Sequence, residues 1–244
     1  MNERWQNRFT WSGLLAAVGL SLIGLAGCRV VADGENATGV KLFQAAQYEA
    51  AMQHFQKALA RDPRNADAYY NMASTTHQLG KLRKNNELLQ QAEALYNQCL
   101  DHNPDHPECH RGLAVLLVET GRSDRAFTLL KNWVIRSPES EDARIELARL
   151  YDEFGDRASA QRQLEYALTI NPKSARLLTA LGHLREESGD LAQALINYRR
   201  ALEINPQQPQ VAARVATLQS RLGSSAPLSA GGTMTAAESW TPKF

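Results

Sequence analysis

Cys99, His102, His106, Cys109 and His110 fall within twelve residues, the densest set of metal-ligating side chains in the 244-residue chain. Thiolates and imidazoles at such spacings hold zinc in many small sites. Two of these residues also offer a different chemistry. In an oxidising compartment Cys99 and Cys109 would close a disulfide. A third state is two separate thiols, with Cys99 buried as a small hydrophobe. No other segment carries the mark of catalysis. There is no glycine-rich phosphate loop, nucleophile-elbow serine or His-Glu-x-x-His helix, and His106-Pro107-Glu108-Cys109-His110 only approaches the last. Acidic pairs such as Asp152–Glu153 and Glu186–Glu187 read as solvated helix ends. The chain is expected not to be an enzyme and to need no cofactor.

The elements that must position these residues are set by a period. Pro104, Pro138, Pro172 and Pro206 stand 34 residues apart. Between them, apolar residues recur three and four apart, which gives each helix one buried stripe. Gly121, Gly155 and Gly189 follow such stripes, where a left-handed turn ends a helix. Asp156 and Asp190 come next and suit the N-cap of a second helix. Asn103, Asn171 and Asn205 each precede a proline, which ends that helix. A single helix pair cannot bury its own face, so neighbouring pairs must stack.

The same residue types fill the same slots in successive units. Leu147, Ala148, Gly155, Ala160, Leu164, Ala167 and Pro172 match Leu181, Gly182, Gly189, Ala194, Tyr198, Ala201 and Pro206 one period on. This pattern resembles the tetratricopeptide repeat, over roughly Thr38 to Leu222. The resemblance implies an all-α fold, a right-handed α-solenoid of about five tetratricopeptide repeats plus a C-terminal capping helix. Val211, Val215 and Leu218 would cover the last repeat. Cys99 occupies an alanine slot that points into helix packing, and His102 to Pro107 form a turn, which weighs against a metal. Trp133 also fills an alanine slot, where so large a ring must push helices apart or meet a small neighbour such as Gly112. Pro63 to Pro104 spans seven residues more than one period. The insertion, around Lys81–Glu87, is nearly two helical turns and is expected to lengthen the second helix of its repeat.

In the family, the first helix of each repeat lines a groove that binds peptides. Carried over by slot, the groove would comprise Tyr70, Ser74, His77, Arg111, Val115, Val118, Ile145, Arg149, Thr179 and His183. Its middle is apolar, with arginines on either side. Asp67, Glu108 and Asp142 are ordinary acids of a helix's first turn. The lysine–asparagine clamp of cytosolic chaperone-binding relatives is not matched.

The N-terminus speaks to location. Arg4 and Arg8 precede an uncharged, mostly apolar run from Phe9 to Gly27, as in a secretory signal. Leu25-Ala26-Gly27-Cys28 resembles the bacterial lipobox, which implies lipidation of Cys28. Arg29 after that cysteine favours the outer membrane by the family's sorting rule. The expected organisation is a signal peptide over 1–27, a lipidated tether over 28–37, the solenoid over 38–222 and a disordered tail over 223–244. A net charge of +1 leaves no basic stripe for nucleic acid. The expected protein is a membrane-anchored interaction scaffold of the bacterial cell envelope, binding a protein or peptide partner in assembly of a pilus, secretion or cell-wall machine. Alternatives are a subunit that recruits a cell-wall enzyme, and a metal-binding protein acting through the Cys99–His110 cluster. Self-association through an exposed repeat edge fits the same pattern.

Overall fold

The computed structural model describes residues 31–223, and these form helices joined by short turns, with no strand among them. Cys28, the signal segment and the expected tail beyond Gly223 lie outside the described residues. The helices are α1 over 31–44, α2 Tyr48–Arg61, α3 Ala66–Arg83, α4 Asn86–His102, α5 Pro107–Glu119, α6 Ser123–Arg136, α7 Glu141–Glu153, α8 Arg157–Ile170, α9 Ala175–Glu187, α10 Leu191–Ile204 and α11 Pro209–Gly223. The expected fold class, an all-α array of tetratricopeptide repeats, is the one found. Ten helices in succession among the described residues, two to each of five repeats along the chain, precede α11. No helix among the described residues is long and apolar enough to cross a membrane.

The chain forms two compact units, which part between Leu150 and Tyr151 within α7. In the first unit α2 packs on α3, α3 on α4, α4 on α5 and α5 on α6, and α3 also touches α5 directly. That contact between first helices two elements apart is what makes a continuous face out of separate repeats. The core is built on Phe55, Tyr96, Leu130 and Trp133, all essentially inaccessible. Burying each such side chain contributes about 1.5–3 kcal/mol. In the second unit α8 packs on α9, α9 on α10 and α10 on α11. There Ala194 and Tyr198 join Val211 and Leu218 in one apolar cluster, with Val215 packed against it, so α11 covers the last repeat as expected.

Local signals govern the turns. Gly121, Gly155 and Gly189 have φ of 74°, 78° and 83°, a region that costs other residues about 1–2 kcal/mol. Asp156 accepts from Ser159 N and Asp190 from Gln193 N, each capping its helix. Asn103, Asn171 and Asn205 sit at the ends of α4, α8 and α10.

Three expectations need correction. First, the tether expected as far as residue 37 is helical over 31–37. Ala32 is fully buried, Asn71 Nδ2 donates to Asn36 Oδ1 at 3.0 Å, and Glu35 Oε2 lies 2.6 Å from His54 Nδ1. These contacts give the segment a partner surface along α2 and α3. Second, the insertion lengthens both helices of its repeat, not the second alone. α3 and α4 have 18 and 17 residues, against 13 and 14 in α5 and α6. Gly80, in the slot of the turn glycines, stays inside α3, where a Cβ would come within 2.8 Å of Leu89 Cδ2. The left-handed turn moves to Lys84, φ 50°. Third, Trp133 does not pack on Gly112. It stacks face to face on His110, with centroids 3.9 Å apart and planes at 8°. Gly112 instead receives the Tyr96 ring, which a Cβ there would meet at 2.5 Å.

Candidate partner-binding face

In the first unit, α3, α5 and the first turns of α7 carry eight of the ten expected groove residues. Tyr70, Ser74, Arg111, Val115, Val118 and Arg149 are half-buried, and Ile145 is 8% exposed. Val115 and Val118 are three apart on α5 and therefore share a helix face. The Tyr70 ring lies 6.4 Å from that of Tyr96 and 5.7 Å from His106. Burial and the Glu108 charge push its hydroxyl above the usual phenol range, against Arg111 and a hydrogen bond with Ser74.

The charges on this face are paired with one another. Arg111 donates from Nε to Glu146 Oε1 at 2.9 Å, and again from Nη2. Arg149 donates from Nη1 to the other oxygen, Oε2, at 3.2 Å. The Glu146 side chain is only 3% exposed, while the two arginines retain 33% and 38%. This carboxylate holds the Arg111 guanidinium above its usual range, with burial working the other way. His77, expected on the groove surface, is buried at 7% exposure. Its Nε2 lies 2.9 Å from Glu119 Oε2, and Lys81 Nζ donates to Oε1 at 2.6 Å. The His77 bond lowers the Glu119 carboxyl against its partial burial, with help from Lys81. The arginines and His77 are thus held in place by the protein itself.

The repeat's slot pattern does not point to Glu146 or Glu119. Glu146 lies between two core residues, Ile145 and Leu147, and stands three residues before Arg149. An acid placed inside a buried stripe is the signal that could have found it, since such a charge needs a partner. Arg144 is another buried charge of α7, donating from Nε and Nη2 to the Pro138 carbonyl at 3.2 and 3.0 Å.

In the second unit, Thr179 is half-buried and its Oγ1 lies 3.4 Å from Gln208 Oε1. His183 is exposed, but Nδ1 is 2.9 Å from Tyr198 Oη, which donates to Glu186 Oε2 at 2.9 Å. Burial pushes the Tyr198 hydroxyl far up, so it stays a donor.

Of the cysteine–histidine set, three residues converge. Cys99 and Cys109 form a disulfide between α4 and α5, with Cα atoms 6.4 Å apart. Closing such a loop contributes about 2–4 kcal/mol. The third residue is His106, the N-cap of α5. His102 instead stacks on Tyr69 at 5.2 Å. His110 lies against Trp133, and burial brings its imidazole down to about 4. Trp133 Nε1 and Ser137 Oγ both donate to Asp105 Oδ1, at 2.8 and 2.6 Å, which completes the turn between the repeats.

Short helices following one another through tight turns define an all-α repeat protein. Three family models, described as TPR repeat or tetratricopeptide repeat, match residues 39–80, 86–134 and 145–209. The chain belongs to the tetratricopeptide repeat family, whose members are interaction scaffolds. No curated protein sequence matches it. Among solved structures it is similar to a thermophilic tetratricopeptide repeat protein of Thermus thermophilus, at 24% identity and TM-score 0.57, over 77% of this chain and 98% of that one. It is also similar to the human IFIT1 dimer with m7Gppp-AAAA, at 20% identity and TM-score 0.52, over 72% of this chain and 42% of that one. A third is Pseudomonas aeruginosa pilF, at 18% identity and TM-score 0.50, over 83% and 95%. At these identities the likeness is one of fold.

Proposed function

We propose that the protein is a lipid-anchored scaffold of the bacterial cell envelope. Lipid on Cys28 holds it at the periplasmic side of the outer membrane. The face made by α3, α5 and α7 grips an extended or helical segment of a partner during assembly of an envelope machine, such as a pilus, secretion or cell-wall complex. The observation that carries the binding reading is the Val115–Val118 face of α5, with Arg111 paired to Glu146 toward one end of the helix and Glu119 paired to His77 and Lys81 at the other; Ile145 lies in the core. Apolar anchors beside oriented charges are how helices and extended peptides are recognised. Because these charges are already paired and immobilised, little side-chain entropy remains to be lost on binding. Support for the anchor is the apolar run that ends in Leu25-Ala26-Gly27-Cys28. More than one acyl chain is needed to hold a protein stably on a bilayer.

The test joins the two halves. Val118→Glu, at a half-buried position, should abolish retention of the partner by the purified lipoprotein while leaving its helical circular dichroism unchanged. Cys28→Ala should move the protein from the membrane fraction to the soluble one. Retention of the partner by the first variant removes the groove assignment. A second variant still found with membranes removes the lipid anchor.

A further inference from the structure

We infer that Cys99, Cys109 and His106 form a zinc site that alternates with the disulfide: the oxidised chain is cross-linked by sulfur, the reduced chain by metal. Both cysteines are fully buried and the His106 side chain is 5% exposed. One ligand atom from each of the three lies within 4.8 Å of the others. Ligands on a single tetrahedral zinc stand about 3.5–4 Å apart, so the three need only small adjustments once the sulfurs part. The Cα separation of 6.4 Å is at the wide end of the disulfide range of about 4.4–6.8 Å, which lets the sulfurs separate by side-chain rotation.

The histidine is prepared for this. Its Nε2 lies 2.9 Å from Asp67 Oδ1 on α3, so in the tautomer set by that bond the proton is on Nε2. Nδ1 then carries the lone pair. Its present donor, Cys109 N, is 3.4 Å away, a long hydrogen bond that a metal can replace. Glu108 Oε2 stands 3.2 Å from the same nitrogen. A lone pair and a carboxylate facing each other at that distance are drawn together by a cation between them. Glu108 or a water would then be the fourth ligand.

The exchange balances. A dithiol reductant supplies two electrons and two protons, breaks the Cys99–Cys109 bond and closes its own disulfide. Zn²⁺ displaces both thiol protons to solvent and accepts the His106 lone pair. In reverse, a peroxide removes two electrons from the two thiolates. The S–S bond reforms, Zn²⁺ leaves, and the peroxide takes two protons to become two waters. Either link ties α4 to α5, so a chain that has not yet been oxidised keeps the same two repeats joined.

The experiment is anaerobic titration of the full-length protein with Co²⁺, after phosphine reduction and in the oxidised state. The reduced protein should take up one Co²⁺ per chain with a sulfur-to-cobalt charge-transfer band, and Zn²⁺ should displace it one for one. The oxidised protein should take up none. Cys99→Ser with Cys109→Ser should abolish the band, Asp67→Asn should weaken binding about tenfold or more, and His102→Gln should change nothing. If the Cys variant loses helical signal, the Asp67 and His102 variants still decide. Reduced protein of normal helicity that binds no cobalt overturns the inference. So does cobalt bound without the sulfur band, or binding that depends on His102 instead of Asp67.

Discussion

Arg111 of α5 lies side-on to Glu146 of α7, its Nε and Nη2 both reaching one oxygen of a carboxylate that is almost wholly out of water. Only a guanidinium has that geometry. Removing it leaves Glu146 with Arg149 alone. Arg111→Ala should therefore lower the unfolding free energy in urea by about 2 kcal/mol, less than for a fully buried pair because both arginines are partly solvated. Arg111→Lys should recover only part of this. The exposed pair of Arg83 and Glu49 is the control, and Arg83→Ala should cost no more than about 0.5 kcal/mol.

Gly182 of α9 lies against the Tyr198 ring of α10, where a Cβ would come within 2.6 Å of Cε1. The ring cannot retreat, because it is fully buried and its hydroxyl is bound to His183 and Glu186. Gly182→Ala gains about 1 kcal/mol in helix propensity and loses about 1–3 to overpacking. A lower thermal midpoint is expected, and a higher one would show that α9 and α10 can move apart.

What could be read in advance divides along the same physical line. The turn glycines, the Asp156 and Asp190 caps and the asparagine stops act within a few residues of themselves, so pattern alone located them. Cys99 fills an alanine slot and points into the packing, as that slot predicts, and there it is bonded to Cys109. Glu146 with Arg111, and Trp133 with His110, depend on which faces meet across repeats, and spacing along one helix does not encode that. The size of the insertion is legible in the proline spacing, but its division between α3 and α4 is not. Gly80 can continue a helix as readily as end one when Leu89 needs the room.

Glu187 and Asp152 share a hydrogen bond in the second unit. Burial, that bond and the Asp152 charge bring the Glu187 carboxyl up to about 7 from an ordinary 4.5. A carboxyl raised on folding contributes stability that is full below the unfolded value and is lost as pH rises through the folded one. Thermal melts should therefore show a midpoint that falls between pH 4.5 and 7. Glu187→Gln, which keeps a donor toward Asp152 without the titration, should flatten that fall. An unchanged slope would assign it to other groups.

That the α3–α5–α7 face holds another polypeptide is tested most directly by photo-crosslinking in intact cells, from a benzophenone side chain placed at Val115. Ile135 of α6, at 77% exposure, is the comparison site. A discrete crosslinked species is expected from position 115 and none from 135. Crosslinks from 135 with none from 115 would contradict the groove assignment.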